Sequence, residues 1–348
     1  MAVGQTVRPS PSSRVWITLI TRGSYLPGVV LLVHSLYKHG SQYPIIIQYT
    51  SALSEDCIDC LQNLAAIYPL CRTQLVQPIS LPKDLKPVAG RFDDTLTKLR
   101  AFEPMDDSHT LAALQLHQTP EAVCFLDADI MIFKNPDNIF DIPRPGPDWI
   151  LAHHACVCNV DNDPWAPPEW NVENCPCTPL VHPSALKAPV PQAKTPGQEI
   201  TYQLLNSGVF VCTPTREVWE RIDNFRLTDP RVATFTFPDQ NFMDVFFKDR
   251  WLPLGWQYNA MKTHRYWHSA AWRDDEVVAL HYIVDKPWQK RGGQGYLGRD
   301  GVTHSWWWKE FDLWAGDMEG RKEMGEKARN VLEVVKSYMY TGNGNGST

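Results

Sequence analysis

The stretch Val123-Cys124-Phe125-Leu126-Asp127-Ala128-Asp129-Ile130-Met131 places two carboxylates, one residue apart, directly after an apolar run. Val123 to Leu126 reads as a strand buried on both faces, the kind that fills a parallel sheet covered by helices. In open α/β sheets ligands bind beyond the carboxyl ends of such strands. Two carboxylates there can hold a divalent cation and, through it, a diphosphate. Taken alone, Asp-x-Asp after a strand is also an ordinary Asx turn, so the tripeptide needs support from the rest of the chain.

On the N-terminal side, Val15 to Ile20 reads as a strand and Gly28 to Tyr37, opened by Pro27, as the helix after it. Ile45 to Tyr49 is a second strand. Ser54 caps a helix to Tyr68 in which Leu61, Leu64 and Ile67 recur at helical spacing. Further on, Val209 to Cys212 reads as a strand and Thr215 caps a helix through about Phe225. Gln240 to Phe247 reads as another helix, and Val277 to Leu280 as a last strand. This alternation predicts an α/β fold, Rossmann-like, with a doubly wound and mostly parallel sheet.

The expected organisation is a single domain over residues 15–300. Residues 1–14 are polar, rich in Pro and Ser, and expected to be disordered; they lack the apolar core of a signal peptide. Residues 153–203, dense in Pro, Cys, Trp and Asn, are too long for an ordinary connection, which suggests a functional or metal-stapled insert. Residues 301–340 form a C-terminal helical extension, with Leu332, Val335 and Met339 spaced as an amphipathic helix from Met318 to Tyr340. Residues 341–348 read as a flexible tail.

With 43% hydrophobic residues in 348, the chain can bury a large core. Its net charge of −6 offers no basic field for a nucleic-acid backbone, which argues against that partner. No run reaches the length of a membrane span. Without a secretory leader the nine cysteines are expected in a reducing compartment, as free thiols or metal ligands, and a cytoplasmic location follows. Cys156, Cys158, Cys175 and Cys177 could supply four thiolates to a structural zinc, with His153 or His154 as substitutes. The pairs are closer than standard zinc spacing, so unbridged thiols stay open as the alternative and disulfides come last. Cys57 and Cys60, one helical turn apart beside Leu61 and Leu64, read as core packing and not as a redox pair.

Further anchors lie along the chain: Val15 to Thr21 with Tyr25; Thr97-Lys98-Leu99-Arg100; Asp127-Ala128-Asp129 with Asn135-Pro136 and Ile139-Phe140-Asp141; Leu205 to Val211; Asp239-Gln240; and His281 with Lys286-Pro287-Trp288. With these, in this order, the chain resembles the retaining GT-A glycosyltransferases of family 8, which include glycogenin and the plant galactinol synthases. The resemblance spans about Val15 to Trp288. It implies a GT-A fold, a UDP-hexose donor and a divalent cation, expected to be manganese.

Site roles follow partly from chemistry and partly from the resemblance. Asp127 and Asp129 with a neutral imidazole from His281 make a mixed N/O site that suits manganese. A histidine after a strand is otherwise a common core residue. The resemblance implies that Tyr25 stacks on the uracil while Thr21 and the Leu19 backbone read its edge, and that the segment through Ala128 faces the diphosphate. It implies that Lys98 supports the first aspartate or the sugar, a role for which the ordinary alternative is a solvated lysine. Asn206 and Ser207 would meet the sugar, with Gly208 permitting close backbone approach. Asp239 and Gln240 would meet the donor sugar from a helix N-terminus, where Asp239 could instead serve only as an N-cap. Lys286 would face the phosphates. Here the chain departs from glycogenin-like members, which carry a Gly between the His and the Lys-Pro-Trp; Tyr282, Ile283, Val284 and Asp285 stand there instead.

Retention of configuration needs either a carboxylate nucleophile, with Asp239 as the candidate, or departure and attack on one face. The insert resembles that of galactinol synthases, which points to a small polyol or saccharide acceptor, and it is expected to serve stability and not catalysis. Tyr266 falls in the register of glycogenin's self-glucosylated tyrosine, so a glycogenin-like self-glucosylating enzyme is the alternative. Trp267 and Trp272 read as acceptor platform or core, and Trp306, Trp307 and Trp308 as a cover for the site or an anchor for the last helix. An aspartyl-phosphate phosphatase would also carry Asp-x-Asp, but Met131 and the lack of a later Gly-Asp-x-x-x-Asp argue against it. A non-catalytic sugar-nucleotide binder or scaffold is the alternative of another class, and a homodimer is compatible with the sequence.

Overall fold

The computed structural model describes residues 14–82, 90, 93–321 and 325–339. The N-terminal segment before Arg14 and the tail 341–348 lie outside them. The strands are β1 (Arg14–Ile20), β2 (Ile45–Tyr49), β3 (Cys71–Leu75), β4 (Ala122–Leu126), β5 (Ile130–Ile132), β6 (Ile150–His154), β7 (Leu205–Cys212), β8 (Trp251–Pro253), β9 (Ala260–Met261) and β10 (Ala279–His281). The α-helices are α1 (Leu26–Lys38), α2 (Glu55–Ile67), α3 (Ser108–Ala113), α4 (Pro196–Thr201), α5 (Arg216–Thr228), α6 (Pro238–Phe246), α7 (His264–Trp267), α8 (Gly301–Gly320) and α9 (Gly325–Ser337).

The main sheet has the order β3-β2-β1-β4-β7-β6-β8. Its first four strands are parallel, while β7 runs antiparallel to both β4 and β6. The sheet is therefore doubly wound and mostly parallel, and the period of two in each strand divides its core into two layers. Trp16, Ile45, Ile47, Cys124, Leu126, Val209 and Val211 face the layer containing α1, α2, α8 and α9. Val15, Ile17, Ile46, Phe125, Phe210 and Cys212 face the layer containing α5 and α6. Phe125 stacks on Phe210, and Phe210 on Phe102. The predicted helix caps form locally: the Ser54 hydroxyl accepts from Cys57 N–H, and the Thr215 hydroxyl from Val218 N–H.

Four features go beyond the expectation or differ from it. The last strand, β10, leaves the main sheet and pairs with β5 and β9 in a second, three-stranded sheet. Asn206, Ser207 and Gly208 lie inside β7 instead of before it. Lys98 sits on a 3₁₀ helix, Thr95–Phe102. The C-terminal extension is two helices, α8 ending at Gly320 and α9 starting at Gly325, because glycine is a poor helix interior. Cys57 and Cys60 are buried between α2 and α9, as core packing requires.

Candidate active site

The second sheet explains how distant residues meet. β4 ends at Leu126, and the loop beyond it is held by its backbone: Asp127 N–H donates to the Gly208 carbonyl at 2.8 Å and Tyr282 N–H to the Asp129 carbonyl at 2.9 Å. The chain then forms β5, and β10 pairs antiparallel to it with His281 opposite Ile130. His281 Nε2 consequently lies 3.2 Å from Asp129 Oδ1 and 3.8 Å from Asp127 Oδ2. The ligand atoms of all three residues fall within 4.8 Å of one another. Gly208 makes this packing feasible, since a Cβ there would fall 2.3 Å from the His281 ring. The close approach expected of Gly208 is therefore to the imidazole.

A residue that the sequence did not single out sets the imidazole. His281 Nδ1 lies 2.9 Å from Asn259 Oδ1, so Nδ1 carries the proton and Nε2 turns its lone pair toward the aspartates. Asn259 Nδ2 donates to Asn206 Oδ1 at 2.8 Å, and Asn206 Nδ2 reaches Gln240 Oε1 at 3.4 Å. A relay of side-chain amides thus connects His281 to Gln240. Two carboxylates and one imidazole lone pair, held from behind, form a donor set that fits a manganese-class cation.

Two lysines balance the carboxylates. Lys98 is buried, and its Nζ lies 2.9 Å from Asp127 Oδ1 and 2.7 Å from Asp239 Oδ2. Burial works against its charge, but the two carboxylates prevail and raise its pKa above the ordinary lysine value. Asp239 Oδ2 also accepts from Ser207 Oγ at 2.6 Å. Burial opposes ionisation of Asp239, yet Lys98 and Ser207 hold its pKa below the usual carboxylate range. Asp239 is the second residue of α6 and makes no N-cap, a position taken by Phe237. Lys286 Nζ pairs with Asp129 and donates to the Tyr282 carbonyl at 2.9 Å. Against its burial, Lys286 keeps Asp129 ionised, whereas burial lifts the Asp127 pKa against the pull of Lys98. Where the Gly of glycogenin-like members is missing, Val284 adopts φ +61°. The turn takes up a left-handed backbone there, which a β-branched residue strains.

Leu19, Thr21, Tyr25, Lys98, Asp127, Ala128, Asp129, Asn206, Ser207, Gly208, Asp239, Gln240, His281 and Lys286 all line one crevice of about 590 Å³. Tyr25 lies with its ring centroid 5.6 Å from Lys286 Nζ. Arg22 and Asp94, paired at 3.1 Å, border the same crevice, and only their neighbourhood to Thr21 and Lys98 hinted at them. The insert, expected to serve stability, also borders the site: Cys156, Asn159, Asp161, Asp163, Trp165 and Trp170 form a wall of this crevice. Trp267 lines it too, but Trp272 packs in the core on Trp256. The Tyr266 hydroxyl turns to Asp300 at 3.4 Å and is not among the lining residues. Trp307 and Trp308 pack under Trp288 and Phe311, anchoring the last helices and leaving the site uncovered by them.

The fold is that of the GT-A glycosyltransferases. The solved galactosyltransferase LgtC, in complex with donor and acceptor sugar analogs, superposes with a TM-score of 0.53 at 12% identity, covering 84% of this chain and 95% of that one. Residues 16–292 match glycosyl transferase family 8, and the chain belongs to that family. It is 25% identical over 320 residues to galactinol synthase 2 of Solanum lycopersicum, covering 89% of this chain and 83% of the relative. Galactinol synthase 5 of Arabidopsis thaliana is 23% identical over 344 residues, covering 97% and 93%. Glycosyl transfer is accordingly the class of reaction. Among the described residues no helix is long and apolar enough to cross a membrane.

Proposed function

We propose that this chain is a metal-dependent, retaining hexosyltransferase that moves a hexose from a UDP-sugar to a small hydroxylated acceptor, as its likeness to galactinol synthases suggests. The observation that carries the reading is the convergence of Asp127, Asp129 and His281 within 4.8 Å, in a crevice where Lys98 ties Asp127 to Asp239. In this reading Asp127, Asp129 and His281 hold the cation, manganese by their donor set. When bound, it supplies positive charge to the diphosphate oxygens. Lys286 adds a second positive charge to the leaving diphosphate, and Tyr25 stacks on the uracil beside Thr21 and the Leu19 backbone. Ala128 lets the loop approach the phosphates closely.

Asp239 and Gln240 orient the donor sugar. The Asp239 oxygen nearest Lys98 already accepts from both Lys98 and Ser207, which blunts it as a nucleophile. We therefore favour departure and attack on the same face, with Gln240 supporting developing positive charge and a diphosphate oxygen taking the acceptor proton. The insert wall, with two carboxylates and two indoles, suits a polyhydroxylated acceptor: Asp161 and Asp163 for hydroxyls, Trp165 and Trp170 for the apolar ring face. The turned-away hydroxyl of Tyr266 speaks against self-glucosylation.

The test is UDP release from UDP-galactose and UDP-glucose, with and without myo-inositol, in manganese and in chelator. Manganese-dependent release that rises with the polyol supports the reading. Binding without release would make the protein a sugar-nucleotide binder, and hexose mass gained on Tyr266 without acceptor would make it glycogenin-like.

A further inference from the structure

We infer that the insert is built around a zinc ion held by Cys156, Cys158, Cys175 and His268, a ligand set that differs from the four cysteines suggested by the sequence. The ligand atoms of these four residues lie within 4.8 Å of one another, and three of the four residues are buried. His268 Nε2 stands 3.3 Å from Cys156 Sγ, 3.1 Å from Cys158 Sγ and 3.9 Å from Cys175 Sγ. The Cys156 sulfur is 3.6 Å from that of Cys158 and 4.0 Å from that of Cys175. A tetrahedral ion with bonds of about 2.3 Å to sulfur and about 2.0 Å to nitrogen requires edges of about 3.8 Å between sulfurs and about 3.5 Å from sulfur to nitrogen. The observed edges scatter around both values. They are far too long for disulfides, whose sulfurs lie about 2.05 Å apart.

The short Cys-x-Cys spacing is no obstacle in this geometry. Cys156 and Cys158 follow β6 with no helix or turn between them, and their sulfurs converge to 3.6 Å on one side of the chain. Cys177 contacts Cys156 and Cys175 but lies outside this set of four, and its sulfur instead groups with His153 and His264. His153 Nδ1 is engaged by the Leu254 carbonyl at 3.0 Å. His268, at the end of α7, is distant in sequence from the cysteines, so the ion would fasten the insert to the helix that carries Trp267 into the crevice. This inference does not depend on the proposed reaction.

The experiment is metal analysis of the full-length protein, purified in reductant without chelator, together with cobalt substitution. Expected are at least one zinc per chain surviving dialysis and thiolate-to-cobalt charge-transfer absorption. Cys158→Ser and His268→Ala should each lower the content by about one equivalent. His268→Cys should keep the ion with an added thiolate band, and Cys177→Ser should retain at least one equivalent. Wild-type protein without zinc overturns the inference. So does unchanged content in His268→Ala, or complete loss in Cys177→Ser with retention in His268→Ala.

Discussion

The wall of the crevice built from Asp127 to Lys286 and the wall built by the insert bound the same space but are assembled differently. The first consists of side chains at strand ends, each fixed by a buried charge or amide partner: Lys98 between two carboxylates, His281 against Asn259, Lys286 on Asp129. The second is irregular chain carrying indoles and carboxylates, whose shape rests on a cluster of thiols and imidazoles. The difference separates two tasks. The charge management proposed at the leaving group is laid mainly on the sheet, whereas the surface proposed to meet the acceptor is carried largely by irregular chain beyond it.

The sharpest way to break this division is to remove a proposed cation ligand. Asp129→Ala or His281→Ala should lower UDP release on the order of a thousandfold, with or without acceptor, since several kcal/mol of charge stabilisation would be lost; circular dichroism should show the fold retained. Asn259→Ala should act through His281, raising the manganese concentration for half-maximal rate about 10- to 100-fold while kcat recovers at saturating metal. If kcat fails to recover, Asn259 does more than orient the ring.

Asp244 probes the sheet side without touching the chemistry. One of its oxygens accepts from Leu205 N–H at 2.8 Å at the start of β7 and the other lies buried without a partner among the described residues. Burial lifts its pKa to about 8. The folded chain keeps this proton while the unfolded chain loses it near pH 4, so the group lowers stability as pH rises from about 4 to about 8, by about 1.4 kcal/mol per unit. Asp244→Asn should remove that slope, measurable by urea unfolding at stepped pH. On the insert, Trp170→Ala should raise the acceptor KM about fivefold, on the scale of one aromatic contact, and leave the UDP-sugar KM unchanged. A shift in the donor KM instead would merge the two walls into one function. The smallest effect belongs to Val284→Gly, where relief of left-handed strain is partly offset by the entropy of glycine. A gain of at most about 1 kcal/mol in stability is expected there.

What could be read in advance follows the same division. Periodicity and capping residues revealed β1, β2, β4, α2 and α5, because each is decided by local spacing or a single side chain. The placement of β10 in a separate sheet was not legible, since a three-residue apolar run carries no information about its partner. Residues of the sheet wall could be named because their motifs, in order along the chain, carry the family resemblance, while the Asp-x-Asp after an apolar strand also speaks through its own chemistry. Asn259 and His268 could not: each matters only through a neighbour far away in sequence, and a lone amide or imidazole has no local signature. The insert's contact with the crevice was missed for the same reason.

The C-terminal helices reach back to the loops that flank the crevice. Tyr338, just beyond α9, packs so closely on Gly23 that a Cβ there would fall 2.5 Å from its ring, and Trp308 of α8 donates to the Pro287 carbonyl at 2.9 Å, next to Lys286. The Asp127 strand is synthesised well before these helices. During synthesis the aspartates would therefore be in place on a nascent chain while the loops bearing Tyr25 and Lys286 still await their support. The loops bearing Tyr25 and Lys286 should accordingly reach their final shape only once α8 and α9 have folded onto them.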